Sequence, residues 1–144
     1  MARMHSRKRG RSRSVKPITK SPPLWLRLTP EEVEALVLKL AREGNSPSKI
    51  GTILRDQYSV PLVSAVTNKK VVGLLKENNL APPVPEDLAN LVARARRMSV
   101  HLKRFKSDGS NIHRLQLVEA KIKRLERYYK RNGVLPANWE PEIA

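Results

Sequence analysis

The chain has 144 residues, with 29 Lys and Arg against 13 Asp and Glu, a formal charge of +16 and a pI near 10.8, so its natural partner is a polyanion. It has no cysteine, its three histidines (His5, His101 and His113) lack metal-ligand spacing, and no apolar stretch approaches the ~20 residues of a membrane span. Aromatic residues make up only 4% and proline is frequent, with no alternating run of β-branched residues; an aliphatic core and an all-α fold are predicted.

The charge is unevenly placed. Residues 1–20 hold 8 basic and no acidic residues, residues 21–93 hold 8 of each, residues 94–131 hold 13 basic and 3 acidic, and residues 132–144 hold only 2 acidic ones. Residues 1–23 contain almost nothing to bury and are expected to be an extended basic tail that orders only against a partner. Within it Arg3, His5, Arg7, Lys8, Arg9, Arg11 and Arg13 are candidate nucleic-acid contacts.

Residues 24–80 read as a three-helix unit. In "LTPEEV" Thr29 is placed to cap, Pro30 to take the first helical position and Glu32 to complete a capping box, with Leu28 and Val33 spaced as a hydrophobic staple. Val33, Leu36, Val37 and Leu40 form the apolar stripe of this helix, and Gly44 is placed to end it in the left-handed conformation. "NSPSKIGTIL" repeats the pattern, with Ser46 as cap, Pro47 first, and Ile50, Ile53 and Leu54 inside. A third helix is predicted after Pro61, burying Val63, Val66, Leu74 and Leu75 and stopping near Asn78 and Asn79.

"APPVPED", residues 81–87, is too rich in proline for helix and marks the predicted start of a second unit, residues 81–144. Beyond it Leu88, Leu91, Ala95, Met98, Leu102 and Phe105 recur every three or four residues, as do Leu115, Val118, Ile122, Leu125 and Tyr129. Two such seams separated by "SDGSN" predict an antiparallel helical hairpin, with Gly133 ending the second helix and Trp139 packing back.

The tip of this hairpin, "HLKRFKSDGSNIHRL", admits three readings. Catalysis needs His101 and Asp108 or a serine to converge in a cleft; seven residues apart, they are expected on an exposed tip instead. As plain turn chemistry, Ser107, Asp108, Ser110 and Asn111 cap the next helix and make the turn, which suffices for Ser107 and Ser110. That accounts neither for His101 nor for the net charge of the hairpin, so the third reading is that it lies along RNA. Lys103, Arg104, Arg114, Lys121, Arg124, Arg127, Lys130 and Arg131 would hold phosphates. His101, Asp108, Ser110 and Asn111 would read the shallow minor groove and 2′-hydroxyls of an A-form helix. The alternative is a helix-turn-helix DNA-binding regulator on residues 29–79, against which stands the near-zero net charge of that region.

"HLKRFKSDGSN" followed by "RLQLVEAKIKRLERYYK" resembles the universal small-subunit ribosomal protein family numbered fifteen in bacteria and thirteen in eukaryotes. "PLWLRLTPEEV", "SPSKIGTILRDQYSVP" and "YYKRNGVLPANWEP" look like its archaeal and eukaryotic branch, which adds an N-terminal part to a universal core. The resemblance implies an α-helical, non-enzymatic constituent that binds small-subunit rRNA at a three-way junction and an adjacent helix, without a cofactor. It further implies a cytoplasmic, ribosome-associated protein, monomeric in the ribosome beside neighbouring ribosomal proteins and without a membrane. His101 and Asp108 match the first two positions of the family's RNA-reading loop, Asn111 with Ser110 beside it takes the third, and Arg124 and Tyr128 match its basic helix and its tyrosine twenty positions after the aspartate.

Overall fold

The computed structural model describes residues 21–142, which form six helices and no strand. Contacts divide the chain into two compact units meeting at Ala81 and Pro82.

The first unit opens with α1, Pro30–Arg42. Its capping box is complete: the Thr29 hydroxyl accepts from the Glu32 N–H at 3.3 Å, and the Glu32 carboxylate accepts from the Thr29 N–H at 2.8 Å. The helix stops at Gly44, which sits at φ +82°; its N–H donates to the Ala41 carbonyl while Asn45 donates to Leu40, satisfying two carbonyls the helix leaves open. Helix α2, Pro47–Gln57, starts at Ser46, whose hydroxyl accepts from the Lys49 N–H.

The single third helix expected after Pro61 is two helices, α3 Val63–Val66 and α4 Val71–Glu77. Thr67 causes the break. Its buried hydroxyl lies 3.1 Å from the Val63 carbonyl and accepts from the Lys69 N–H at 3.3 Å, so the side chain replaces the next helical bond. Asn68 then takes φ +55°, a left-handed conformation that asparagine tolerates. The apolar expectations survive the break: Val33, Val37, Leu40, Ile50, Leu54, Val63, Val66, Leu74 and Leu75 form one buried cluster, with Leu36 and Ile53 packed on its edge. Fully burying each such side chain is worth about 1.5–3 kcal/mol, which holds these short helices together.

The second unit is a hairpin of α5, Glu86–Arg104, and α6, Gly109–Arg131. Tyr129 meets Asp87 at one end and Asp108 meets His101 at the other, so the helices run antiparallel. Leu88, Leu91, Ala95, Val118 and Ile122 are buried along the seam, joined by Leu135 from the segment after α6. Met98, Leu115, Leu125, Tyr129 and Trp139 pack partly buried around them. Gly133, at φ +66°, ends α6 by donating to the Lys130 carbonyl. Phe105 departs from its predicted seam position. Helix α5 stops one residue before it, the backbone leaves helical geometry, and the ring turns outward to lie 52% exposed.

Candidate nucleic-acid interface

Asp108 organises the hairpin tip. One carboxylate oxygen accepts from the Asn111 N–H at 3.0 Å; the other accepts from the Asn111 side-chain amide at 2.6 Å and lies 3.2 Å from His101 Nε2. The helix cap expected of Ser107 and Ser110 is therefore made by Asp108, an equally good capping residue whose charge also suits the positive end of α6. Ser110 already lies in the first turn of that helix. Bonds from the Asn111 backbone, then its side chain, then His101 hold the Asp108 carboxyl below its ordinary value, so it is ionised at neutral pH. His101 and Asp108, expected apart, do meet, because the turn through Phe105 and Lys106 brings the start of α6 back over the last turn of α5. The pair stays on the surface, with side-chain exposures of 42% and 32%, and so does not form a water-excluding site.

The two flanks of the hairpin differ in charge. Arg94 and Arg97 each directly precede a seam residue of α5, namely Ala95 and Met98, and His101 takes the same place one turn on, before Leu102, which is half-buried and outside the packed seam. Arg114, Lys121, Arg124 and Tyr128 each directly precede a seam residue of α6, namely Leu115, Ile122, Leu125 and Tyr129. One residue is 100° of helix rotation, and an antiparallel pair is related by a twofold axis normal to its plane, so equal offsets emerge on the same side. From residue 94 to residue 128 the helical positions on that side carry no carboxylate, and the one acid that meets it is the α6 cap Asp108, bonded to His101 at the tip. Residues that follow a seam position fall on the other side, where Glu119 and Glu126 are mixed with Arg96, Lys103, Lys123 and Lys130.

The expected contact residues divide accordingly. His101, Asp108 and Asn111 are brought into bonding contact, and Arg114, Lys121, Arg124 and an exposed Tyr128 line the acid-free flank. Arg104 and Arg131 lie at its outer margin, and Arg127 points away from α5. Lys103 and Lys130 lie on the mixed flank, where Lys130 pairs with Glu126 at 2.7 Å. Arg3, His5, Arg7, Lys8, Arg9, Arg11 and Arg13 fall outside the described residues.

Sequence reasoning missed Arg94 and Arg97. They border, with Met98, His101 and Asn111, a shallow depression of about 300 Å³ beside the tip. The signal was present, since both sit one residue before a seam position as His101 does. At the root of the hairpin the Tyr129 hydroxyl donates to the Asp87 carboxylate, 2.8 and 2.9 Å from its two oxygens. Partial burial first, and then this bond and charge, push the Tyr129 phenol up to about 12. On the mixed flank Arg96 donates to the Glu142 carbonyl at 2.6 Å and its carboxylate at 2.7 Å, fastening the C-terminal segment to α5. Among the described residues no group of His, Asp and Glu side chains is placed to hold a metal ion, and no helix is long and apolar enough to cross a membrane.

Residues 1–60 match the Ribosomal S13/S15 N-terminal domain, and residues 71–144 match Ribosomal protein S15. Over 139 residues the chain is 48% identical to small ribosomal subunit protein uS15 of Methanocella arvoryzae, covering 96% of this chain and 91% of that protein. Over 140 residues it is 44% identical to small ribosomal subunit protein uS15 of Nitrosopumilus maritimus, covering 97% and 94%.

Proposed function

The chain belongs to the ribosomal protein S15 family, structural constituents of the small ribosomal subunit, and from that premise we propose that its acid-free hairpin flank holds small-subunit rRNA at a helical junction. The observation that carries this reading is the segregation of charge. A flank that presents Arg94, Arg97, Arg114, Lys121 and Arg124 without a carboxylate suits a phosphate backbone, while the opposite flank mixes signs as a solvated surface does. The tip adds hydrogen-bonding groups of the size that a wide, shallow minor groove admits, namely His101, Asp108 and Asn111. Phosphate contacts along the helices set orientation, and the tip reads the groove edge.

The role is structural, not catalytic: the protein supports assembly of the subunit and translation as a single copy among neighbouring ribosomal proteins in the cytoplasm. No observation favours the helix-turn-helix DNA-binding alternative, and the neutrality of residues 21–93 weighs against it. Footprinting on a junction fragment of small-subunit rRNA and on duplex DNA tests the reading. Protection confined to the junction and one adjoining helix, with affinity falling steeply with salt, is expected. Equal protection of both nucleic acids would overturn it.

A further inference from the structure

Phe105 is the only phenylalanine in the chain and takes no part in either buried cluster. It lies 52% exposed at the hairpin tip, just past the end of α5. Its ring packs on that of His101, with centroids 4.9 Å apart and planes inclined by 35°, and this contact orients the ring while leaving much of it open. The sequence around it, Lys103, Arg104, Phe105, Lys106, is otherwise cationic. Asp108 is the nearest carboxylate in sequence, and it is engaged with Asn111 and His101.

An oriented aromatic ring among cations on an RNA-facing tip has the makings of a base-stacking platform. Every nucleobase presents a π face, and the flanking cations gain from the phosphates on either side of it. A protein surface covering the same ring would have to desolvate Lys103, Arg104 and Lys106 without that compensation. His101 belongs to the acid-free flank, so its ring partner continues that flank beyond the end of the helix. We propose that Phe105 is a nucleobase-stacking residue, its open face packing on an unpaired base of the rRNA next to the groove edge met by His101 and Asp108. The inference rests on the rRNA-binding reading above and deepens it by giving the tip a sequence-tolerant contact beside its hydrogen-bonding ones.

The full-length protein and its Phe105→Leu and Phe105→Trp variants, all checked for unchanged helicity, are titrated against the junction fragment at several salt concentrations. Leucine keeps the apolar bulk and loses the π face, so its affinity should fall about five- to hundred-fold at an unchanged salt slope, whereas tryptophan should bind like the parent. Ultraviolet crosslinking of the parent complex should give an adduct at Phe105 to a single nucleotide. Leucine binding as tightly as the parent, a loss accompanied by a smaller salt slope, or an intact tip footprint without an adduct at Phe105 would each overturn the inference. A parent that does not prefer junction RNA to duplex DNA removes the premise and the inference together; a parent that prefers it while Phe105→Leu is silent sinks the inference alone.

Discussion

His101 Nε2 lies 3.2 Å from the Asp108 carboxylate that caps α6, so one side chain joins the end of one helix to the start of the next. A carboxylate offers about four lone-pair positions, of which Asn111 and His101 take three, and on the proposed reading the fourth accepts from a donor on RNA. Capping and recognition are separable by substitution. Asp108→Ala should cost about 1 kcal/mol of stability, while Asp108→Ser, which still caps, should cost a few tenths. Both should lose ~1–3 kcal/mol of affinity for the correct rRNA helix and much less for one with altered base pairs. Thermal denaturation with parallel binding titrations checks this, and wild-type affinity in Asp108→Ser would reduce the carboxylate to a cap.

The flanks should answer differently to charge removal. Arg97→Ala and Arg124→Ala are expected to weaken binding to correct and altered RNA alike, and each to reduce the log–log salt slope by about 0.9. Lys130→Ala, on the mixed flank beside Glu126, should leave the slope unchanged. Salt titrations of the three variants decide it; a slope lost equally in all three would mean that the flanks are not distinguished by RNA.

Alkaline pH addresses the root of the hairpin. The folded protein holds the Tyr129 phenol at about 12 against an ordinary 10.0, and so favours the protonated form. The stability this group supplies is fully present below pH 10 and is lost as the pH rises toward about 12. In Tyr129→Phe nothing titrates at that position and the Asp87 bond is gone, a loss of about 1–2 kcal/mol at neutral pH. Denaturant unfolding at pH 8 and at steps up to pH 12 should show the gap between parent and variant closing only in the upper window. A gap independent of pH would mean that the phenol ionises equally in both states.

The α1 cap belongs to the other unit and tests its independence from the interface. Thr29→Ala should lower the stability of the first unit by about 1 kcal/mol. Affinity for the junction fragment should be unchanged. Differential scanning calorimetry and a binding titration suffice, and a parallel fall in affinity would tie that helix to RNA.

What could be read in advance was local in origin. Thr29, Ser46, Gly44 and Gly133 act through bonds to residues within five positions, and the seams of α5 and α6 repeat at helical spacing. The break after α3 was hidden because Val63, Val66 and Leu74 keep helical spacing on either side of the polar run at residues 67–70, where the Thr67 hydroxyl and the Asn68 backbone interrupt the ladder. Val60 and Leu135 are buried from loops, where an isolated apolar residue has no period to betray it. The meeting of His101 with Asp108 depends on the path of a short turn, and composition is blind to that path. Counting charge treated all cations of residues 94–131 alike, whereas the one-residue offset from the seam separates Arg97 from Lys103.

The length of α6 fixes a distance. Twenty residues separate Asp108 from Tyr128 along one continuous helix, which at 1.5 Å per residue is about 30 Å. With α5 packed along it, this helix has no freedom to stretch or fold, and the two ends of the proposed contact surface act as the jaws of a caliper. An RNA satisfies both only when its own folding brings a groove edge and a second binding surface to that separation. An RNA with the right local sequences in an unfolded junction meets one jaw at a time and forgoes the gain of simultaneous engagement. Tight binding then reports on the three-dimensional folding of the RNA, and the protein that rewards the folded junction also stabilises it by the same free energy.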